Sequence, residues 1–243
     1  MKNKKVVLIT GASSGVGRET ALRLASSGYT VSVCARRESR IKELVEEILS
    51  KGGEAIGTAC DVTKWSQVND FVKSVIDKFG KIDILINNAG AGIRFADFDK
   101  LKIEEIEEGI YVNLMGVLYF SRAVIPYMKR IKTGHIINIS SILGKRSRRG
   151  LAVYTAAKHA VEGFSRALLN EVKDDGIRVS IIAPAMINTE WARKAGIENP
   201  FTSGKMIEPE DIAEIIEFIV KSPVHYCIWN LDLMPLSQTI DPL

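Results

Sequence analysis

Two residues four positions apart, Tyr154 and Lys158, combine side chains that can transfer a proton. They lie in a stretch with helical periodicity, so the phenol and the ammonium fall on one face of a helix. A free phenol has a pKa near ~10 and is a poor acid or base at neutral pH. Lowering that pKa by about three units needs roughly 4 kcal/mol, which one cation about 4 Å away supplies at an effective dielectric of about 20. The pair is therefore a candidate for proton transfer, although the spacing also fits a half-buried ring beside a solvated amine.

A glycine-rich turn near the amino terminus predicts a site for a phosphate group. It follows the apolar run 5–10, reads TGASSGVG from position 10 onward, and precedes a helical pattern. In such a strand–turn–helix unit Gly11 permits the tight turn, Gly15 lets the backbone approach a diphosphate, and Gly17 allows close packing of the helix on the strand. An ordinary turn does not need three glycines at this spacing. The sequence therefore predicts dinucleotide binding.

The end of the second predicted strand, 30–34, bears on which dinucleotide is bound. In a doubly wound sheet this strand end faces the adenosine ribose, where an acidic residue would take the ribose hydroxyls of NAD. This chain has Ala35 there, followed by Arg36 and Arg37, which can clamp a 2′-phosphate. We therefore expect NADP(H) in preference to NAD(H). The alternative is a solvated arginine pair at the start of a glutamate-rich helix.

Polar and small residues also follow the other predicted strands. Asp61 follows the third strand and could bind an adenine amino group or cap the next helix. The segment 87–90 follows the fourth and reads Asn-Asn-Ala-Gly, which lets a ligand approach closely, although Asn87 could instead pin neighbouring strands. Two serines, 140–141, follow the fifth strand, and the segment 184–189 follows the sixth. Because ligands bind at the carboxyl ends of parallel strands, these positions predict one common site.

Strand and helix patterns alternate along the chain without a repeat, a composition break or a proline-rich linker. This alternation predicts an α/β fold, a Rossmann-type doubly wound parallel sheet of about seven strands with helices on both faces. A length of 243 residues with 46% hydrophobic residues suits one large domain over 1–243.

Composition excludes several other classes of protein. The net charge of +4 comes from 33 basic and 29 acidic residues mixed along the chain, which does not favour nucleic acid as a partner. The three cysteines lack CxxC spacing and favour buried thiols in a reducing compartment over disulfides or a metal site. We see no signal peptide and no apolar run of about 18 residues, so we expect a soluble cytoplasmic protein without a membrane partner.

Together, these motifs make the chain resemble the short-chain dehydrogenase/reductase family in its compact single-domain form. The resemblance covers nearly the whole chain and rests on the glycine turn, the segment 87–90 and the Tyr154–Lys158 pair. Ser141 stands thirteen residues before Tyr154, the interval usual in the family, whereas Ser140 does not.

Two departures from the family pattern are present near the carboxyl terminus. Ala185 follows Pro184 where the family usually has glycine, and the Asp-Gly-Gly segment found in many relatives is missing. The segment 230–238 instead resembles the branch of NADP-dependent 3-hydroxy acid and serine dehydrogenases.

The resemblance implies a role for each of four catalytic residues. Tyr154 would give a proton to a carbonyl oxygen during reduction or take it from an alcohol during oxidation. Ser141 would hydrogen-bond that oxygen. Lys158 would lower the pKa of Tyr154 and hold the nicotinamide ribose, while Asn113, which matches a helical asparagine of the family, would position a water that links Lys158 to solvent. The nicotinamide would carry the hydride.

The resemblance also implies a cofactor site, with adenine on Asp61 and Val62 and the nicotinamide amide on Thr189. The residues expected to bind the cofactor are Gly11, Ser13, Ser14, Gly15, Val16, Gly17, Arg36, Arg37, Asp61, Val62, Asn88, Ala89, Gly90, Tyr154, Lys158, Pro184, Ile187 and Thr189. No metal is expected.

A basic segment, KRSRR at 145–149, bears on the substrate. In this fold the segment borders the substrate cleft, so Arg148 and Arg149 are expected to bind a carboxylate, sulfonate or phosphate of the substrate. A solvated loop or an oligomer contact is the alternative. The segment 188–208, which includes Trp191, is expected to form a lid over the substrate.

We therefore expect an NADP-dependent oxidoreductase that acts on a carbonyl or secondary alcohol, with 3-hydroxy acids and their aldehyde or keto forms among the candidates. A non-catalytic dinucleotide sensor of the same fold is the alternative, and the intact catalytic set argues against it. Small residues on the helix after Tyr154 imply a homodimer or homotetramer, unless they pack inside the chain. They are Ala156, Ala157, Ala160, Gly163 and Ala167.

Overall fold

The structure is a computed structural model that describes residues 4–190 and 206–236. Its strands are β1 Val6–Thr10, β2 Thr30–Ala35, β3 Glu54–Ala59, β4 Ile84–Asn87, β5 Gly134–Ile139, β6 Ile177–Pro184 and β7 Asn230–Leu233. They form one seven-stranded sheet in the order β3-β2-β1-β4-β5-β6-β7, and every pair in it is parallel. The predicted Rossmann-type sheet is confirmed.

Helices cover both faces of the sheet. They are α1 Gly15–Ser26, α2 Glu38–Ser50, α3 Trp65–Phe79, α4 Ile103–Ile110, α5 Gly116–Ile131, α6 Ala152–Val172 and α7 Pro209–Lys221. Alternate residues of β1 point to opposite faces. Val7 and Ile9 join a core with α1, α2 and α7, whereas Val6 and Leu8 join a core with α3, α5 and α6. Burial on both faces explains why the strand reads as an unbroken apolar run.

Strand order places the predicted site. β1 lies between β2 and β4, so the chain reverses its direction of progress across the sheet at β1. A crevice forms at the carboxyl ends of the strands at such a reversal.

Asn87 is the last residue of β4, and its Nδ2 donates to Asn138 Oδ1 at 2.8 Å and to Ser121 Oγ at 3.3 Å. Asn87 therefore pins β4 to β5, the second of the two roles considered for it.

The helical stretch from 103 to 131 contains α4, a π-helical turn over Tyr111–Met115 and α5. The π turn interrupts the stretch just after α4. By length and composition alone, this stretch could cross a membrane. Half of its most apolar 18-residue segment is buried inside the protein. Phe120 of α5 packs edge-on against Phe71 of α3, with ring centroids 6.4 Å apart. The core helix of a soluble protein meets the same length and composition test.

The expected lid, 188–208, falls mainly outside the described residues, and Trp191 lies there too. Its two ends are described. The Asn188 N–H donates to the Ile207 carbonyl at 2.9 Å, and Asn188 Nδ2 donates to the Glu208 carboxylate at 3.1 Å. The two ends of the segment therefore meet beside the end of β6.

Candidate active site

A cleft of about 970 Å³ opens at the carboxyl ends of the strands, and two groups of side chains mark it. We call Asn113, Ser141, Tyr154 and Lys158 the catalytic end, and Arg36, Arg37, Glu108 and Glu190 the arginine end. The cleft is also lined by Gly11, Ser13, Ser14, Gly15, Val16, Asp61, Val62, Asn88, Ala89, Gly90, Pro184, Ile187 and Thr189. β1 and β4 separate β2 from β5, so Arg36 and Arg37 after β2 are anchored about 14 Å from Ser141 after β5.

The glycine turn packs against the segment that follows β4. Gly11 has a φ of 68°, and a Cβ atom there would lie 2.7 Å from the Ala89 Cα. A Cβ atom on Gly17 would lie 2.5 Å from Asn88 Nδ2, which donates to the Thr10 carbonyl at 2.9 Å. Side chains at Gly11 or Gly17 would clash with this segment. Gly17 itself does not line the cleft; it allows this close packing beneath the cleft surface.

The amino terminus of α1 has the donors that a diphosphate requires. The Ser14 hydroxyl accepts a hydrogen bond from Arg37 Nη2 at 2.6 Å and does not cap the helix, and the first turn holds no acidic residue. The first-turn N–H groups therefore face the cleft without a side-chain cap, at the positive end of the helix dipole. Gly15 has a φ of 55°, and a Cβ atom there would lie 3.2 Å from Thr189 Cγ2. This open, positive cradle fits the diphosphate of a dinucleotide.

Arg37 is held at the arginine end by three side chains. Its Nε and Nη2 donate to Ser13 Oγ at 3.1 and 2.9 Å, and Nη2 also donates to Ser14 Oγ. Its Nη1 donates to Glu190 Oε2 at 2.9 Å. The guanidinium is thereby fixed beside the glycine turn, so Arg37 is not the solvated surface residue of the alternative interpretation.

Arg36 and Asp61 make local contacts at the same end of the cleft. Arg36 Nη1 donates to Glu108 Oε1 at 3.2 Å, and both side chains are more than half exposed. Asp61 Oδ1 accepts hydrogen bonds from the Thr63 N–H at 3.0 Å and the Thr63 hydroxyl at 2.9 Å. Asp61 therefore does fix the turn before α3, and it lines the cleft as well.

Tyr154 lies in the first turn of α6, where its side chain is buried. Burial raises the pKa of the Tyr154 phenol to about 12, and its hydrogen bond with Ser141 lowers that pKa by less. This direction is opposite to the lowering expected from Lys158. The reason is that desolvation of a phenolate in this pocket outweighs the favourable interactions that the protein supplies. The protein environment by itself keeps the phenol protonated.

Lys158 is buried one turn after Tyr154 and is directed at backbone. Its Nζ donates to the Ile139 carbonyl at 2.9 Å and lies 5.6 Å from the centroid of the Tyr154 ring. Burial lowers the pKa of Lys158 to about 8, and the charge of Glu162 raises it by less. The two residues do come together as the spacing predicted, but both are buried, and burial favours the neutral form of each.

Asn113 sits in the π turn and is fully buried. Its Nδ2 donates to the Gly109 carbonyl at 2.9 Å and to the Ala91 carbonyl at 3.1 Å, and its Oδ1 accepts from the Ala91 N–H at 3.3 Å. π turns inside α-helices occur frequently at functional sites. This one aims a helical asparagine at the backbone beside the cleft, which explains an otherwise disfavoured mid-helix residue.

The basic segment divides into residues that line the cleft and residues that do not. Arg149 forms a two-bond ion pair with Asp97 at 2.9 and 2.8 Å, its side chain is 87% exposed, and it does not line the cleft. Arg149, which was expected to bind substrate, is thus placed outside the cleft and pairs with a surface carboxylate. Arg148 lines the cleft with its guanidinium over the Phe95 ring, 5.7 Å from the centroid, and Arg146 lines the cleft too.

Three charged residues among those that line the cleft were not among the predicted site residues. Arg146 belongs to the basic segment, so that segment contained its signal. Glu108 and Glu190 carry no local signal, because each is one of many acidic residues and becomes part of the site only through its contact with a distant arginine.

A sequence model described as short chain dehydrogenase matches residues 5–200. A 3-oxoacyl-[acyl-carrier-protein] reductase of Synechocystis sp. is 36% identical over 224 residues, which cover 90% of each chain.

Solved structures agree with the sequence match. The closed form of a serine dehydrogenase complexed with NADP+ superimposes with a TM-score of 0.92 at 31% identity and covers 98% of each chain. A 3-ketoacyl-(acyl-carrier-protein) reductase from Brucella melitensis complexed with NADH gives a TM-score of 0.87 at 32% identity, covering 95% of this chain and 96% of that one.

Proposed function

The chain belongs to the short-chain dehydrogenase family, and from that premise we propose an NADP-dependent oxidoreductase whose carbonyl or secondary alcohol substrate carries an anionic group. Relatives named as oxidoreductases and 3-oxoacyl reductases support the reaction class, which is oxidation of a CH–OH group or reduction of a keto group.

The observation that carries the cofactor choice is the pair of arginines after β2. Arg37 is fixed beside the uncapped amino terminus of α1, and Arg36 lies next to it on the cleft. No carboxylate stands at position 35, where NAD-binding sheets place one. Guanidinium groups bind phosphate with two parallel hydrogen bonds, which suits the 2′-phosphate of NADP. The NADP+ complex of the similar serine dehydrogenase supports the same choice.

The catalytic end supplies the proton and holds the substrate oxygen. The nicotinamide gives or accepts the hydride when it is bound. Tyr154, whose pKa of about 12 keeps the phenol protonated, donates a proton to the carbonyl oxygen during reduction. Ser141, hydrogen-bonded with that phenol, donates to the same oxygen and stabilises its developing negative charge.

Lys158 and Asn113 restore the proton. The Lys158 ammonium favours the phenolate left on Tyr154, which lowers the cost of proton donation. Asn113, tied to the backbone carbonyls of Ala91 and Gly109, holds a water that connects Lys158 to solvent. These assignments follow the family resemblance, and the burial of all four side chains agrees with them.

Arg146 and Arg148 support an anionic group on the substrate. Both line the cleft, and within 4–190 and 206–236 neither forms an ion pair with a carboxylate. The other two cations of the segment are paired, Arg149 with Asp97 and Lys145 with Asp232. Serine, the substrate named for the similar dehydrogenase, carries a carboxylate. A 3-hydroxy acid, or its aldehyde or keto form, meets this requirement.

We also propose a cytoplasmic homo-oligomer, either a dimer or a tetramer, that contacts its copies through α6. Ala156, Gly163 and Ala167 of that helix are exposed, and a Cβ atom on Gly163 would meet nothing within 4 Å. This exposed stripe of small residues permits close helix packing between subunits. Ala157 is buried inside the chain and Ala160 is partly buried, so the alternative of intrachain packing applies to these two residues.

A binding titration followed by a substrate panel tests the proposal. Fluorescence titration with NADPH and NADH should show tighter binding of NADPH. Turnover should then be highest with acidic members of a panel containing 3-hydroxy acids, malonic semialdehyde, sulfoacetaldehyde, β-keto esters and quinones. Tighter NADH binding would contradict the cofactor choice. Tight NADPH binding with no turnover of any member would favour a dinucleotide sensor.

A further inference from the structure

Both arginines at the arginine end are held by carboxylates from other parts of the chain. Arg37 pairs with Glu190, which follows β6, at 2.9 Å, and Arg36 pairs with Glu108 of α4 at 3.2 Å. All four side chains line the cleft. The two carboxylates therefore occupy guanidinium donors that the proposed function assigns to a phosphate.

The contacts of Arg37 show which of its partners must move. Nε and Nη2 donate to the hydroxyls of Ser13 and Ser14, while Nη1 donates to Glu190. A serine hydroxyl is neutral and can itself donate to an anion, so the two serines remain compatible with a bound phosphate. An ionised carboxylate only accepts hydrogen bonds, and its charge repels a phosphate. Glu190 is thus the partner that a phosphate displaces from Arg37.

Resting on the NADP dependence proposed above, we propose that Glu190 and Glu108 are internal competitors of the 2′-phosphate for the two arginines. They lower the affinity for NADP and leave the affinity for NAD unchanged. Glu190 has the larger effect because the side chains of its ion pair are 40% and 37% exposed, whereas those of the Arg36–Glu108 pair are 59% and 55% exposed. The less exposed pair is screened less by solvent and salt.

The phosphate displaces the carboxylate because it carries more negative charge, but the competition still lowers the affinity for NADP. A phosphate monoester carries a charge of about −1.5 to −2 at neutral pH, against −1 for a carboxylate, and it accepts two parallel bonds from a guanidinium. NADP therefore displaces the carboxylate, but its net gain is reduced by the ion pair that it breaks and by the like charge left nearby. NAD has a ribose hydroxyl at this position and has no need to break the ion pair.

The test uses the 243-residue chain with the two carboxylates neutralised singly and together. Glu190→Gln, Glu108→Gln and the double variant are titrated with NADPH and with NADH by fluorescence, at low salt and near 1 M salt. Glu107→Gln is the matched control, because Glu107 is the exposed neighbour of Glu108 on α4, does not line the cleft and changes the net charge equally. Arg37→Ala is measured in parallel to test the cofactor assignment itself.

We expect Glu190→Gln to lower the NADPH dissociation constant about three- to fivefold and Glu108→Gln to lower it about twofold, with no change for NADH. The control should match the wild type, and high salt should compress the differences. Weaker or unchanged NADPH binding in Glu190→Gln would overturn the inference, since it would mean that the carboxylate orients Arg37 for the phosphate or does not compete with it.

Failure of the inference can be told apart from failure of the proposed function. If Arg37→Ala weakens NADPH binding but the glutamine variants do not tighten it, only the competition is refuted. If Arg37→Ala leaves NADPH binding unchanged, the NADP assignment fails first.

Discussion

The catalytic end and the arginine end of the cleft handle charge in opposite ways. Tyr154 and Lys158 are less than 10% exposed, and burial shifts the pKa of each towards its neutral form. At the arginine end, Arg37 and Glu190 are more than a third exposed and are paired with each other. In the protein alone, burial at the catalytic end therefore favours uncharged side chains. At the arginine end, carboxylates of the same chain balance the charges of the arginines.

This difference reflects what each end has to bind. Proton transfer requires groups whose charge changes during the reaction, and a desolvated pocket strengthens every interaction with that changing charge. Selection of a cofactor requires a permanently charged group that can exchange one ionic partner for another. Exposed ion pairs permit this exchange because each pair is individually weak. Substitutions at the catalytic end should therefore change turnover, and substitutions at the arginine end should change binding.

Tyr154→Phe should have the largest effect. Removal of the proton donor should lower kcat about 10³-fold, since positioned acid–base groups contribute 10²- to 10⁴-fold, while NADPH binding stays nearly unchanged. Steady-state kinetics and fluorescence titration measure the two quantities. Tyr127→Phe on α5 removes a hydroxyl outside the cleft and should behave like the wild type. If Tyr154→Phe lowered NADPH affinity by the same factor as kcat, the catalytic end would support binding as much as turnover. The distinction between the two ends would then fail.

Lys158→Met should abolish most turnover and yet stabilise the fold at neutral pH. The pKa of Lys158 is lowered from 10.5 to about 8, so the unfolded chain holds more protons between these values and the wild type loses stability as pH falls from about 10.5 to about 8. Removing the charge should add about 2 to 3 kcal/mol at pH 7, less about 1 kcal/mol for the hydrogen bond to the Ile139 carbonyl.

This gain should shrink as pH rises from about 8 to about 10.5 and vanish only above that, where the unfolded lysine also loses its proton. Urea unfolding at pH 7 and pH 10 measures it. Lys73→Met, on the exposed face of α3, should show the same stability difference at both pH values. A gain for Lys158→Met that does not depend on pH would show that the buried ammonium carries no such penalty.

Arg37→Ala should weaken NADPH binding about 10- to 100-fold with little change in kcat, because charge-assisted hydrogen bonds to phosphate are lost. Arg36→Ala should have a smaller effect, since its side chain is more exposed and lacks the anchoring to Ser13 and Ser14. Titration with NADH provides the control and should show near-equal affinities for all three proteins. An equal loss for NADH would mean that Arg37 supports the turn and does not select the phosphate.

Within the basic segment, Arg146→Ala and Arg148→Ala should each raise KM for an acidic substrate about five- to tenfold and leave KM for a neutral ketone unchanged. Arg149→Ala provides the matched control, because Arg149 pairs with Asp97 on the surface. Equal effects of all three variants would indicate a general electrostatic contribution of the segment and not direct contact with the substrate.

Much of the fold and many residues of the site were predictable because their signals are local. Apolar runs of β1 and β6, the three glycines after β1 and the i, i+4 spacing of Tyr154 and Lys158 each lie within one element or one turn. Strand ends converge in any parallel sheet, so the position of the cleft followed from the alternation of elements. Asn113 matched a family motif, but its π turn has no counterpart in helical periodicity.

The sequence by itself determined the residue types, their spacing and the sheet that brings them together. Tertiary structure alone decided that Glu190 reaches Arg37 across 153 positions and that Glu108 reaches Arg36 across 72. It also decided that Arg149 turns to Asp97 while Arg146 lines the cleft, and that burial raises the pKa of Tyr154. Ion pairing and desolvation depend on distance and solvent exposure in three dimensions, and neither quantity is encoded in the separation of residues along the chain.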